Sequence, residues 1–194
     1  AAQISKKIEQ QLNQQSIDWY AWSPQQTSEL RRLNAALKSG QPCQVSESLA
    51  DLLSKSLTMH KTSQGYFDPA IMPMTAAWGF ADSNLPAMTE LPSQRLLQDW
   101  SQHRPRLADL TIRDRTVSSL RQDLQIDLGA IAKGYALDLA IQQLQREGIT
   151  QASLNLGGQV LLIGNSLPTS ITEVKIQSPR TNTYLGRVTL KSSE

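Results

Sequence analysis

Apolar positions in the first third of the chain recur at helical intervals. Ile4, Ile8 and Leu12 make one stripe, with Lys6, Lys7, Glu9 and Gln10 around it, and this predicts an amphipathic first helix. "TSELRRLNAALKSG" (27–40) predicts a second, with Thr27 or Ser28 as its N-cap and Gly40 as its stop. "PCQVSESLADLLSKSLTMHKTSQG" (42–65) repeats the device. There Ser46 caps, Leu49, Leu53 and Leu57 form the buried face, and Gly65 releases the chain.

The period then breaks. In "GYFDPAIMPMTAAWGFADSNLP" (65–86), Pro69 and Pro73 argue against an ordinary continuous helix, and Tyr66, Phe67, Trp78 and Phe80 gather around Asp68. The tryptophans and Phe80 are expected in the core. "PSQRLLQDWSQH" (92–103) reads as one more helix. After it, "LADLTIRDRTVSSL" (107–120) and "LQID" (124–127) alternate like short strands, the first with a turn at 113–115. From Ala130 the spacing is helical again, with Leu137, Ala140, Ile141 and Leu144 at i, i+3, i+4 and i+7, and Gly148 closes that helix. "ASLNLGGQVLLIG" (152–164), "EVKIQSP" (173–179) and "TYLGRVTLK" (183–191) read as strands, the first run broken by a Gly157–Gly158 turn. Helices followed by largely antiparallel strands predict an α+β fold, and 194 residues suit a single core.

Composition narrows the chemistry. Apolar residues make up 39% and charged residues 19%, the balance of a water-exposed globular protein. A net charge of +2, with no dense basic run beyond "RR" at 31–32 and "RPR" at 104–106, gives no reason to expect nucleic acid. One cysteine, Cys43, rules out an internal disulfide, and its place after "SGQP" suggests a loop thiol. With only His60 and His103, a multi-histidine zinc site is not expected, so any metal should be a hard cation held by oxygen. No apolar run approaches the roughly 18–20 residues needed to span a bilayer. The opening on "AAQISKKIEQQL" reads as a mature product or an excised piece.

The stretch "DLGAIAKGYALD" (127–138) raises a question of charge. Lys133 falls near the first turn of its helix, where the macrodipole disfavours a cation. Lys133 is either a solvated lysine that the helix tolerates, or part of an anion site in which free N–H groups and its ammonium group hold a phosphate. Neither a Walker A nor a Gly-x-Gly-x-x-Gly pattern is present. Asp127 reads equally as a turn cap or as a partner for a ligand hydroxyl or ring N–H. "FDP" leaves Asp68 open in the same way, as an Asx turn or a ligand contact. Asp138, five residues past Lys133, reads as structural.

Four segments in fixed order carry a resemblance: "SELRRLN" (28–34), "GYFDPAIMPMTAAWGF" (65–80), "IDLGAIAKGYALD" (126–138) and "GITQASLNLGGQVLLIG" (148–164). Together they resemble the FAD:protein FMN transferase (ApbE) family, and the Asp-Leu-Gly-x-x-x-Lys-Gly-Tyr-x-x-Asp core is the most specific part. The resemblance implies a T-fold-like α+β protein on the outer face of the bacterial cytoplasmic membrane, in the periplasm and often lipid-anchored. It implies an enzyme that binds FAD with Mg²⁺, breaks the diphosphate and attaches FMN to a Thr or Ser hydroxyl of target flavoprotein subunits of electron-transport complexes. On matching positions Tyr66, Phe67, Asp68, Asp127 and Lys133 would contact FAD, and the Ala130 carbonyl would meet the magnesium.

Departures from the family pattern temper this. The family's early Met-Gly-Thr segment is missing, as are the later Thr-Ser-Gly, His/Asp-Pro, Asp and Thr positions that complete its magnesium site. The family's aromatic before "SEL" falls here at Pro24, with Trp22 as a substitute. The expectation is a core truncated at both ends and inactive alone. The alternatives are a flavin or nucleotide module that binds without catalysing, and a helical interaction domain with no ligand.

Overall fold

Serine hydroxyls start three of the helices by accepting a hydrogen bond from an otherwise free backbone N–H. In the computed structural model, which describes residues 2–22, 28–81, 91–164 and 173–189, Ser28 Oγ accepts from the N–H of Arg31 at 3.0 Å and opens α2 (Glu29–Lys38). Ser46 Oγ does the same for α3 (Glu47–Thr62), and Ser93 Oγ for α5 (Gln94–His103). The first helix, α1, runs Ala2–Asp18. Between α3 and α5, Pro73 sits in the first turn of the short α4 (Met72–Ala77), where its missing N–H costs no hydrogen bond. Thr27 and Pro24 lie outside the described residues.

The chain divides into two compact units, residues 13–132 and residues 1–12 with 133–194. In the first, α2 lies against β1 (Cys43–Gln44) and β3 (Thr116–Ser119), and α3 against a 3₁₀ turn at Leu107–Asp109. β3 is central to an antiparallel sheet of order β1-β3-β2, where β2 is Leu110–Arg113. Ile112 faces Val117, and the β2–β3 turn places Asp114 and Arg115 at φ 46° and 65°, as a two-residue hairpin turn demands. Leu30, Leu33, Leu37, Leu49, Leu52, Leu53, Leu107 and Val117 are buried here. Cys43 is a buried strand residue and not a loop thiol, because its neighbour in register is the buried Val117.

Two expectations fail in this unit. Residues 124–127 do alternate in burial, with Leu124, Ile126 and Leu128 fully enclosed, yet they belong to no sheet. The reason is Asn34 of α2: its Nδ2 donates to the Ile126 carbonyl at 2.9 Å, and its Oδ1 accepts the Ile126 N–H at 2.9 Å. One buried amide does the work of a neighbouring strand. Trp78 and Phe80 are also not core residues. They are 36% and 56% exposed, because α4 ends after six residues and carries its C-terminal aromatics outward, while Trp19 is buried as expected.

The second unit is built on α6 (Ala132–Arg146), which begins two residues later than the spacing suggested. Ala140 and Leu144 pack with Ile8 of α1, and Ile4, Leu12, Ile149, Ala152, Leu154 and Ile163 surround them. β4 (Ala152–Leu156) and β5 (Gln159–Ile163) form a hairpin whose Gly157 and Gly158 both take positive φ, so the glycine pair is a conformational requirement. β6 (Glu173–Gln177) and β7 (Tyr184–Thr189) form a second antiparallel hairpin, largely exposed, braced by an Arg187–Glu173 ion pair at 3.1 Å and by Lys175 over the Tyr184 ring. No helix among the described residues is long and apolar enough to cross a membrane.

Candidate functional site

Within residues 13–132 the sequence-distant segments 66–70 and 124–130 are joined by backbone: the Asp127 N–H donates to the Pro69 carbonyl at 2.9 Å. Asp127 then closes the turn before α6, with Oδ1 accepting the Gly129 N–H at 2.9 Å. Its Oδ2 accepts the indole N–H of Trp22 at 3.1 Å. The carboxylate is half-buried, and among the described residues each of its oxygens accepts one bond, which leaves lone pairs for a ligand donor. Both readings of Asp127 left open by the sequence are therefore compatible with its position. It is the turn cap, and it keeps acceptor capacity.

Tyr66, Phe67 and Asp68 have three different environments. Tyr66 is 94% exposed and offers a free aromatic face. Phe67 is half-buried, and its backbone is fixed by the Ser63 hydroxyl at its N–H and by His60 at its carbonyl. Asp68 points inward: its side chain is 3% exposed, and Oδ1 accepts the N–H groups of Ala70 and Leu107 at 3.1 Å each. The first of these is the Asx turn of the "FDP" reading; the second ties the turn to the 3₁₀ segment. A carboxylate so enclosed shapes the segment and leaves surface contact to Tyr66 and Phe67. Its Oδ2 lies 3.7 Å from both His60 Nδ1 and Arg104 Nη1 without a hydrogen bond.

Ala130 is exposed in the turn at 129–131, which is closed by bonds from the N–H groups of Ile131 and Ala132 to the Leu128 carbonyl. Its carbonyl supplies a single oxygen. Among the described residues, however, no three His, Cys, Asp or Glu side chains gather in a way that holds a metal. One carbonyl falls far short of the six oxygens in octahedral array that Mg²⁺ takes. The described donor set does not fit a magnesium site by itself.

Lys133 belongs to the other unit. It is the second residue of α6, exposed, and has no hydrogen bond or ion pair among the described residues. Its aliphatic stem passes the β4–β5 turn, where a Cβ on Gly157 would stand 3.8 Å from Lys133 Cδ. On the next residue, a Cβ on Gly134 would come within 3.1 Å of Gln159 Nε2, so small residues let the helix start close to this hairpin. The same hairpin, with β6, walls a groove of about 410 Å³ that Asn155, Gly158, Val160 and Lys175 help to line.

Three residues that shape the site were not singled out by motif: Asn34, His60 and Arg104. For the first two a signal existed. Asn34 interrupts the stripe Leu30, Leu33, Leu37, and His60 extends the stripe Leu49, Leu53, Ser56; a polar residue on an apolar helix face is there to hold something.

The fold is an α+β assembly of helices and antiparallel hairpins, and solved structures of this class match it. The crystal structure of the ApbE protein from Thermotoga maritima superposes with a TM-score of 0.79, covering 98% of this chain and 60% of that one at 22% identity. The flavin transferase ApbE from Vibrio cholerae gives a TM-score of 0.76, covering 95% and 58% at 23% identity. The ApbE family model matches residues 1–194. This chain belongs to the ApbE family. The FAD:protein FMN transferase of Rhodobacter capsulatus is 40% identical over 179 residues, 91% of this chain and 33% of that protein. The transferase of the same name from Salmonella typhimurium is 29% identical over 92% of this chain and 51% of its own length. The chain thus spans between a third and a half of these relatives.

Proposed function

We propose that this chain is the FAD-binding part of an FAD:protein FMN transferase. The observation that carries the reading is Lys133, a cation without a partner among the described residues in the first turn of a helix, where the dipole disfavours it unless an anion is bound. A nucleotide diphosphate is such an anion, and small residues at 129, 130, 132 and 134 let its oxygens approach the backbone. Tyr66 and Phe67 would meet the flavin nucleotide, and Asp127 a polar hydrogen of it, with Trp22 and Gly129 orienting the carboxylate.

In the transfer, a Thr or Ser hydroxyl of the recipient attacks the phosphorus on the FMN side. The new P–O bond forms as the bond to the bridging oxygen breaks, AMP leaves with the electron pair, and the hydroxyl proton is released to solvent or to the departing phosphate. Negative charge spreads over the phosphoryl oxygens, and a fixed cation stabilises it. Mg²⁺ belongs to this reading through the resemblance, with Ala130 as the one ligand offered by the described residues. So do a recipient subunit of an electron-transport complex and a periplasmic, lipid-anchored setting for the full-length protein. A second reading, a module that holds FAD without cleaving it, is favoured by that sparse set of metal donors.

The experiment is FAD titration by flavin fluorescence, with AMP release followed in the presence of Mg²⁺. Lys133→Ala is expected to weaken FAD binding about tenfold, near 1.4 kcal/mol, while leaving the melting temperature unchanged. Where AMP is released, the variant should lose on the order of 2–4 kcal/mol of transition-state stabilisation. Wild-type affinity and turnover in Lys133→Ala would end the proposal, and FAD binding without AMP release would select the second reading.

A further inference from the structure

The exposed ring of Tyr66 has no packing of its own to aim it, so its direction depends on the backbone on either side. That backbone is anchored to the end of α3. The Gly65 N–H donates to the His60 carbonyl at 2.8 Å, and the Tyr66 N–H to the Ser63 carbonyl at 3.1 Å. The Ser63 hydroxyl donates to the His60 carbonyl at 3.2 Å and accepts the Phe67 N–H at 2.9 Å. The Phe67 carbonyl in turn lies 2.9 Å from His60 Nδ1. His60 is only 8% exposed, and a Cβ on Gly65 would stand 3.6 Å from its Cε1, so the ring lies directly under the turn.

The chemistry of this contact is specific. A carbonyl only accepts, so Nδ1 must carry hydrogen, and it does so in both the neutral and the protonated ring. The charged groups near the ring are Asp68, whose Oδ2 is 3.7 Å from Nδ1, Arg104, whose Nη1 is 3.7 Å from that oxygen, and Arg106, whose Nη1 would stand 3.8 Å from a Cβ on Gly65. Asp68 is held by two backbone N–H groups through Oδ1, so it is a fixed wall against which the imidazole is oriented.

We infer that His60 is a positioning residue: by donating from Nδ1 to the Phe67 carbonyl it fixes the peptide that follows Phe67, and through the backbone of Phe67 the face that Tyr66 presents to a flavin nucleotide. This rests on the reading of Tyr66 and Phe67 as flavin contacts. A histidine that merely fills a core would be replaceable by any side chain of like volume. A positioning histidine is replaceable only by one with a donor at the same place.

Asparagine and glutamine distinguish the two cases. The amide nitrogen of Asn can sit where Nδ1 sits, whereas that of Gln falls near Nε2 and leaves the Phe67 carbonyl without its donor. In FAD titrations of the whole chain, His60→Gln should bind about tenfold more weakly and His60→Asn within about twofold of wild type, as expected for loss or retention of one buried hydrogen bond. Equal affinity of His60→Gln and wild type overturns the inference, as does an Asn variant as weak as the Gln variant. If wild type itself fails to bind FAD, the flavin reading falls. Amide hydrogen exchange at 66–68 then decides for His60: faster exchange in Gln but not in Asn supports it, and unchanged exchange in Gln refutes it. Should the Gln variant not fold, ¹⁵N NMR of the wild-type ring gives the answer. A neutral tautomer protonated at Nε2 is incompatible with the inference, and one protonated at Nδ1 is required by it.

Discussion

At the scale of single residues, the site is organised by hydrogen bonds that join distant parts of the sequence. Trp22 and Asp127 are 105 positions apart, and the indole N–H has one acceptor, Asp127 Oδ2. Trp22→Phe keeps an aromatic ring, though a smaller one, and removes the donor. It should lower stability by about 1 kcal/mol and measurably weaken FAD binding, which urea melts and fluorescence titration will separate. Asn34 carries more. Its side chain satisfies both backbone groups of the buried Ile126, so Asn34→Ala leaves two enclosed polar groups bare and should cost about 2–4 kcal/mol in urea melts. Loss of under 1 kcal/mol would show that water replaces the amide. The sequence displayed Asn34 inside an apolar stripe, but nothing local could tell that its partner lies 92 residues away. The same holds for Asp68: its turn-forming role was readable from "FDP", whereas its enclosure by Leu107, His60 and Arg104 depends on tertiary packing.

Elements were more legible than side-chain partners, because caps, periods and turn residues are local. Ser46 caps the helix assigned to it, and Ser28 is the cap from the pair Thr27 or Ser28. The helix read at 92–103 is present with Ser93 as its cap, and the glycine pair at 157–158 turns the hairpin between the two apolar runs. The strand expected at 124–127 shows the limit of such reasoning: alternation reports which faces are buried, and not what hydrogen-bonds the edges. Gly164, just past β5, gives a sharper test. It has φ +93°, and an added Cβ would fall 2.3 Å from the Thr150 carbonyl oxygen and 3.1 Å from Gln151 Cα. Both obstacles are backbone, so Gly164→Ala should destabilise the β4–β5 unit by about 1–3 kcal/mol, seen as a lower thermal midpoint.

The loop after β3 has its own signature. Arg121 donates to Asp123 through Nε and Nη2 at 2.9 and 2.6 Å and to the His103 carbonyl at 2.8 Å, linking the end of α5 to the loop. Hydrogen bonding to Arg121 holds the Asp123 carboxyl below its ordinary value of 3.8, against a smaller opposing effect of burial. A lowered folded-state pKa stabilises above the unfolded value and is lost as pH falls through the folded one. Asp123→Asn should therefore melt slightly below wild type at neutral pH, with the gap closing under acid conditions below pH 3.8. The pair is exposed, so the gap will be small and will shrink in salt.

At the scale of the whole molecule, the order of four short segments was enough to place the chain in its family, since each segment is tied to backbone geometry that the fold needs. What the order could not supply is the environment of each candidate. Tyr66 is open, Asp68 is enclosed and Lys133 has no partner among the described residues, and these states arise from packing. The β6–β7 hairpin illustrates what packing withholds. It satisfies its own ladder, yet Ile176, Tyr184, Leu185 and Val188 remain 44–70% exposed. A two-stranded ribbon wetted on this scale has little to lose by opening. Its amides should take up deuterium well ahead of those in the β1-β3-β2 sheet, and proteases should find their first cut there. If so, storage of the purified chain should be limited by that ribbon, and a time course of intact mass will check it.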